Sequence, residues 1–178
     1  MKHLTKLKIW GCLFRRGLNP LRKHYLLPPA SRLLPPSIEE LQQSDRSQHA
    51  IAFSSDCQCT LANLDVKLLR QILSNLFSNC LKYSPIGSTV KFSVITANDR
   101  AIFQTQDSGI GIPPNDIKHI FEPFHRASNV SNMPGMGLGM SIVKQAIDLH
   151  GGEIFVESAI VTGTIFTVTL PFSRNLNI

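Results

Sequence analysis

Two runs of glycine at alternate positions constrain this chain more than any other feature. The first run extends from Asp107 to Gly111 (DSGIG), directly after a predicted strand, and the second from Gly135 to Gly139 (GMGLG), at the start of a predicted helix. Without Cβ atoms, both runs let the backbone approach a ligand closely. Free amides before a helix N-terminus favour phosphate, and Asp107 offers an acceptor for an amino group. The second run lacks both the preceding strand of a dinucleotide fingerprint and the Gly-Lys-Ser/Thr of a Walker A loop.

The hydrophobic periodicity predicts an α+β fold, with a mixed, mostly antiparallel sheet packed on helices. Helices are expected over residues 63–84, 114–121 and 138–150. Strands are expected over residues 50–54, 58–62, 89–96, 101–106, 154–158 and 164–170. A turn at residues 98–100 joins the third and fourth of these strands into a predicted hairpin.

One side of the first predicted helix carries an unusual polar stripe. Its members Gln71, Asn75, Asn79 and Lys82 are spaced i, i+4, i+8 and i+11, while apolar residues occupy the opposite side. Amide oxygens are suitable ligands for Mg²⁺, and a lysine can contact phosphate. A ligand-binding face and a merely solvated helix face both remain open on this evidence.

The net charge of +6 originates in the N-terminal segment. Residues 1–38 hold eight Lys or Arg and no acid, whereas the other 140 residues hold ten basic and twelve acidic side chains. Five of the eleven prolines also lie between Pro20 and Pro36, where each removes an amide donor. We therefore expect a poorly ordered lead-in over 1–40, a folded domain over 41–172 and a tail over 173–178. No aromatic or repeat pattern accompanies the basic charge, so no nucleic-acid partner is expected.

The sequence lacks both a membrane-spanning stretch and the cysteine pattern of a zinc site. No apolar stretch approaches the roughly 18 residues that a bilayer-spanning helix needs, so no membrane span is expected. The four cysteines, at positions 12, 57, 59 and 80, lack the paired spacing of a zinc site. Reduced thiols in a cytoplasmic protein are the favoured interpretation.

Taken in order, the motifs resemble those of a known family. They are Asn75 and Asn79, the run from Asp107 to Gly111, FEPFHRA at residues 121–127, the run from Gly135 to Gly139, and Gly163-Thr164. This order resembles the catalytic ATP-binding domain of sensor histidine kinases, in the superfamily shared with gyrase, the Hsp90 chaperones and MutL. The resemblance covers about residues 41–172 and implies the Bergerat fold, a two-layer sandwich of sheet and helices.

The resemblance implies a role for each matching residue. Asn79 is expected to bind Mg²⁺, with Asn75 close to the metal and the phosphates. Lys82 is expected to meet phosphate oxygens, and Asp107 to receive the adenine amino group of ATP. The other implied contacts are Tyr83 to the nucleoside, Gly109 and Gly111 to the base, Thr164 to the adenine-side network, Gly135, Gly137, Leu138 and Gly139 to the triphosphate, and Arg126 to the transferred phosphoryl group. Residues 123–136 are expected to form a mobile segment, called the lid below.

The residue at position 75 bears on the reaction. In the hydrolases of the superfamily this position is a glutamate that activates water, whereas Asn75 cannot act as a general base at neutral pH. The expected function is transfer of the γ-phosphate of Mg-ATP to a histidine in two-component signalling. That histidine would belong to a separate or missing dimerisation domain or phosphotransfer protein, with a response regulator downstream.

The acceptor histidine is not recognisable in this sequence. None of the six histidines is followed directly by the acidic residue that marks the phosphoacceptor in the family. A truncated gene, a fragment and a subunit that phosphorylates another protein remain open explanations. The alternative function is an ATP-binding regulatory module, or an inactive kinase fragment, that controls a partner protein without efficient transfer.

Overall fold

The computed structural model describes residues 25–26, 49–56, 61–62, 64–131 and 133–172. Most of the predicted lead-in, the predicted tail over 173–178 and the start of the predicted strand over 58–62 lie outside these ranges. Within the lead-in, β1 (Tyr25–Leu26) pairs antiparallel with β3 (Leu61–Ala62). The domain boundaries stay a prediction.

The main sheet has five strands in the order β2-β4-β5-β7-β6. These strands are β2 (Ala50–Asp56), β4 (Thr89–Ala97), β5 (Arg100–Gln106), β6 (Glu153–Ala159) and β7 (Gly163–Pro171). Strand β2 pairs parallel to β4, and every other neighbouring pair is antiparallel. The predicted hairpin joins β4 to β5 through Asn98 and Asp99, whose φ angles of 50° and 57° are those that a two-residue hairpin turn requires.

The helical layer contains α1 (Val66–Tyr83), α2 (Pro114–Ile117) and α3 (Gly139–Leu149), with a short 3₁₀ turn at Ser128–Val130. Asp65 caps α1 because its Oδ1 accepts hydrogen bonds from the amides of residues 67 and 68 at 2.8 and 3.2 Å. Helix α2 ends four residues before its predicted end at residue 121. The reason is that the following turns close between residues three apart, as 119 with 116 and 122 with 119.

The core lies between the sheet and the packed pair α1 and α3. The largest fully buried side chains are Phe77, Phe92, Phe103, Ile72, Leu73, Leu76, Ile147 and Leu170. The ring of Phe77 on α1 meets that of Phe92 on β4 edge-on, with centroids 5.1 Å apart. The predicted α+β class is confirmed, and with the apolar side of α1 buried, Asn75 and Asn79 lie against the start of α3 and Lys82 against the loop before it. Within the described ranges, no helix combines the length and hydropathy needed to cross a membrane.

Candidate functional site

A cavity of about 270 Å³ opens between α1, the segment after β5 and the loop that leads into α3. Most of the predicted site residues line it, namely Asn79, Lys82, Tyr83, Asp107, Gly111, Arg126, Gly135, Gly137, Leu138, Gly139 and Thr164. The other two lie directly behind its wall. A Cβ atom on Gly139 would come within 3.1 Å of Asn75 Oδ1, and one on Gly109 within 2.6 Å of the Tyr83 carbonyl oxygen. The fold thus gathers every predicted site residue around one cavity.

Asp107 forms the buried end of this cavity, where it is 7% exposed. Its Oδ1 accepts hydrogen bonds from the amides of Gly109 and Thr164 at 2.8 and 3.1 Å. Its own amide donates to the Thr164 carbonyl oxygen at 3.0 Å. Burial raises the pKa of Asp107, while the two backbone donors oppose that rise. An acceptor group is therefore held in place by backbone on both sides.

Glycine at position 163 makes the close approach to Asp107 possible. Its φ angle is +112°, and a Cβ atom there would lie 2.1 Å from the Asp107 carbonyl oxygen. Any other residue would strain the start of β7 and push it away from Asp107. The predicted Gly163-Thr164 motif therefore has a structural reason.

A hydroxyl network lies next to the carboxylate. The Ser158 hydroxyl lies 2.9 Å from that of Thr164, and it accepts a hydrogen bond from the Ile112 amide at 2.8 Å. Ser158 therefore joins β6 to β7 and to the segment after β5. This network fixes the Thr164 side chain at the cavity wall.

Apolar side chains form much of the cavity wall. They are Ile110, Ile112, Ile120, Val130 and Phe166. The amide of Ile110 donates to the Tyr83 carbonyl oxygen at 3.2 Å, which ties this wall to the end of α1. A flat apolar group with a polar donor at its edge would fit between these walls.

Two cations line the cavity and contact the backbone of the lid, and we call the part of the cavity around them its lid end. The Lys82 ammonium donates to the Pro134 carbonyl oxygen and lies 3.1 Å from the Tyr83 hydroxyl. The Arg126 guanidinium donates to the carbonyl oxygens of residues 130 and 133. Both side chains also line the cavity, so this end suits an anionic group that can compete with the lid carbonyls.

The two asparagines of the polar stripe have their NH₂ groups engaged by the protein. Asn79 Nδ2 donates to the Met140 sulfur at 3.1 Å, and Asn75 Nδ2 donates to the Gln71 carbonyl oxygen at 2.8 Å. The carbonyl oxygens are the acceptor atoms of these side chains; that of Asn79 belongs to a residue that lines the cavity, and that of Asn75 lies next to Gly139.

Those amide oxygens suit a particular kind of cation site. Among the described residues, no group of three or more His, Cys, Asp or Glu is placed to hold a metal ion. Magnesium commonly keeps several waters and binds one or two protein oxygens together with substrate phosphates. The donor set therefore fits a Mg²⁺ ion that arrives with an anionic ligand, not one held in a dedicated protein cage.

The described part of the lid is attached to the rest of the protein at several points. Asp116 Oδ2 accepts hydrogen bonds from the amide and hydroxyl of Ser128, both at 2.8 Å. These bonds lower the pKa of Asp116. Asn129 Nδ2 donates to the Gly111 carbonyl oxygen, also at 2.8 Å. The lid thus contacts the segment that carries the first glycine run.

The predicted set of site residues omits several residues near the ligand space, among them Ser158, Met140, His125 and Asn129, of which the last two lie within the predicted lid. His125, Asn129 and Met140 line the cavity, and Ser158 supports Thr164. Met140 directly follows the second glycine run, so its position was a usable signal. Ser158 sits in an ordinary alternating strand, where nothing local marks it, and its role depends on the register of β6 against β7.

Comparisons with known proteins agree with this architecture. A family profile described as histidine kinase-, DNA gyrase B-, and HSP90-like ATPase matches residues 64–174. The circadian input-output histidine kinase CikA of Synechococcus elongatus is 38% identical over 146 residues, covering 79% of this chain and 19% of that protein. The sensor histidine kinase YkoH of Bacillus subtilis is 35% identical over 176 residues, covering 98% of this chain and 37% of that protein.

Comparison with solved structures also finds sensor histidine kinases. The mycobacterial sensor histidine kinase MprB matches with a TM-score of 0.70 and 26% identity, covering 86% of this chain and 99% of that chain. Full-length ShkA in complex with AMPPNP matches with a TM-score of 0.69 and 26% identity, covering 85% of this chain and 32% of that chain. This chain spans 19% of CikA and 37% of YkoH. It belongs to the histidine kinase-, DNA gyrase B-, and HSP90-like ATPase family and corresponds to the catalytic domain of sensor histidine kinases.

Proposed function

We propose that this chain binds ATP with Mg²⁺ and transfers the γ-phosphate to a histidine of a dimerisation domain or phosphotransfer protein. One observation carries the proposal. A single cavity is lined by the buried carboxyl acceptor of Asp107, by the amide of Asn79 and by the two cations that contact the lid, Lys82 and Arg126. ATP has the matching polarity, with an amino donor on its base and negative charge on its phosphates. The AMPPNP bound in the ShkA structure supports the same ligand class.

The base would lie at the Asp107 end. Asp107 would accept a hydrogen bond from the adenine amino group, and guanine, with a carbonyl oxygen at that position, would be rejected. The apolar walls and the Tyr83 side chain would cover the faces of the base. Thr164, held by Ser158, would supply a hydroxyl at its edge.

The phosphates would lie at the end that holds Lys82 and Arg126. Lys82 would neutralise phosphate oxygens, and the amides of the run from Gly135 to Gly139 would face them before α3. Asn79 and Asn75 would direct amide oxygens toward a Mg²⁺ ion, which when bound neutralises charge on the β- and γ-phosphates. Arg126 would meet the transferred phosphoryl group after releasing the lid carbonyls.

Asn75 favours transfer over hydrolysis. Its amide has no basic atom at neutral pH, and its NH₂ group is already bound to the Gln71 carbonyl oxygen. No water is therefore activated at this position, where a hydrolase of the superfamily has a glutamate. In the transfer, the bond from the γ-phosphorus to the bridging oxygen breaks and a bond to an imidazole nitrogen forms. ADP leaves with the electron pair.

The acceptor and the regulator are part of the proposal, because the chain spans only 19% and 37% of these two relatives. The named relatives are sensor histidine kinases. We therefore propose a histidine-bearing dimerisation segment as the acceptor and a response regulator as the next partner.

Incubation of the full chain with γ-labelled ATP, Mg²⁺ and an isolated dimerisation domain tests the proposal. The same domain with its histidine replaced by Gln is the control acceptor. Label on the histidine-bearing domain alone supports the kinase. Calorimetric binding of ATP without any transfer supports the regulatory module instead, and absence of ATP binding overturns both.

A further inference from the structure

We infer that Met140 is a positioning residue that turns the amide oxygen of Asn79 toward the cation. The inference rests on the proposed function, in which Asn79 is the Mg²⁺ ligand. It starts from one contact between two side chains that line the cavity, because Asn79 Nδ2 lies 3.1 Å from Met140 Sδ.

The chemistry of this contact selects one orientation of the amide. A thioether sulfur has no proton to donate and can act only as a weak acceptor. An asparagine amide presents NH₂ on one side and a carbonyl oxygen on the other, and its last torsion has two broad, nearly equivalent minima. The sulfur accepts from NH₂ and has nothing to offer the oxygen. The contact therefore holds NH₂ against Met140 and leaves Oδ1 on the opposite side.

The position of Met140 in the fold makes this orientation persistent. Met140 is the second residue of α3 and packs against the hydrophobic core while it also lines the cavity. The preceding residue, Gly139, lies next to Asn75 Oδ1. Two consecutive residues of α3 thus meet two asparagines one turn apart on α1.

Both asparagines are oriented by the same principle. The Gln71 carbonyl oxygen, also only an acceptor, holds the NH₂ group of Asn75 as the Met140 sulfur holds that of Asn79. Outer partners that fix a metal ligand commonly change metal affinity by tenfold or more when they are removed. The sulfur is a weak acceptor, so we expect its effect at or below the lower limit of that range.

Replacing Met140 with leucine separates this role from packing. Leucine has a similar volume and is a tolerated exchange for methionine in a core, but it cannot accept a hydrogen bond from Asn79. The measured quantity is the ratio of ATP affinities with and without Mg²⁺, obtained by calorimetry on the full chain. We expect Met140→Leu to lower this ratio about threefold to tenfold, with ATP affinity in the absence of Mg²⁺ unchanged.

The matched control is Ile142→Leu, a volume-conserving exchange on the same helix at a residue that does not line the cavity. It should keep the wild-type ratio. A second readout uses the protein without nucleotide, in which the NMR signals of the Asn79 side-chain NH₂ should shift and exchange faster in Met140→Leu. Substitution of Asn79 itself assigns those signals.

The outcomes distinguish this inference from the function on which it rests. If the wild type shows no Mg²⁺-dependent gain in ATP affinity, the proposed function and the inference both fail. If the wild type shows the gain and Met140→Leu retains it in full, the inference about Met140 alone is overturned. Unchanged Asn79 NH₂ signals in Met140→Leu would likewise overturn it.

Discussion

The two ends of the cavity are built in different ways. At the buried end, Asp107 is bound by backbone amides that belong to the sheet and the segment after it. At the other end, Lys82 and Arg126 are bound by carbonyl oxygens of the lid. The first end is ready for a ligand as it stands. The second must exchange its lid contacts for ligand contacts.

This difference assigns different work to the two ends. A preformed acceptor loses little freedom on binding, so its contribution should be the same for every nucleotide that carries the base. Under the proposed function, the cations contribute only when phosphate oxygens replace the carbonyls that they already hold. Their contribution should therefore grow with the number of phosphates.

The largest effect is expected at Gly163, which supports the buried end. In Gly163→Ala the new Cβ would lie 2.1 Å from the Asp107 carbonyl oxygen, at a φ angle of +112°. We expect a loss of about 3 kcal/mol or more in the free energy of unfolding, from clash and strain together. Urea denaturation measures it.

Gly87→Ala is the control for backbone strain alone. Gly87 also has a positive φ angle, +74°, but a Cβ atom there would meet nothing within 4 Å. A cost of about 1 kcal/mol is expected. Equal costs for the two variants would show that the close approach to Asp107 contributes nothing.

A second prediction separates the ends by nucleotide length. Asp107→Asn should weaken AMP, ADP and ATP by the same factor, roughly thirtyfold to hundredfold, because the charged acceptor of the amino group is lost. Lys82→Met should leave AMP unchanged and weaken ATP about tenfold, with ADP between them, because the lost charge faces phosphates alone. Calorimetric titration of each variant with the three nucleotides measures these factors.

The pattern across the series is the decisive result. A Lys82→Met penalty as large for AMP as for ATP would mean that Lys82 acts on the base end or on the fold. An Asp107→Asn penalty that grows with each phosphate would place Asp107 at the wrong end. Added salt should reduce the Lys82→Met effect more than the Asp107→Asn effect, since exposed charges are screened more strongly than buried ones.

Much of this division could be predicted from the sequence. The periodicity of α1 placed Asn75, Asn79 and Lys82 on one side of a helix, because an α-helix has a regular repeat that the chain itself displays. The strand patterns likewise predicted the hairpin and the antiparallel character of the sheet. The α+β class, which the structure confirms, could be predicted because each of these elements has a local signal in the sequence.

What the sequence missed depends on contacts between distant elements. Ser158 reaches Thr164 through the register of β6 against β7, and Met140 reaches Asn79 through the packing of α3 on α1. Neither strand register nor helix packing can be predicted from the local sequence pattern of one segment. The engagement of Lys82 with the lid was missed for the same reason, since position 134 is 52 residues away.

The smallest expected effect is a pH dependence of stability with opposite signs at Asp107 and Asp116, which anchors the lid. Burial raises the pKa of Asp107, so the folded state holds its proton more tightly than the unfolded chain. This tighter binding of the Asp107 proton stabilises the fold fully below the unfolded pKa, and the stabilisation is lost as the pH rises through the folded pKa. Asp107→Asn should therefore match the wild type in acid and become the more stable protein toward neutral pH.

Asp116 is expected to behave in the opposite way. Hydrogen bonds from Ser128 lower its pKa, so its contribution is present above the unfolded pKa and is lost as the pH falls through the folded pKa. Asp116→Asn should be less stable than the wild type at neutral pH and approach it in acid. Urea midpoints of the wild type and both variants, taken between about pH 3 and pH 8, measure the two slopes. This range spans the ordinary pKa values of carboxyl groups and extends above them. Parallel slopes would mean that the carboxylates have similar environments, and the contrast between a desolvated acceptor and a lid anchor would be wrong.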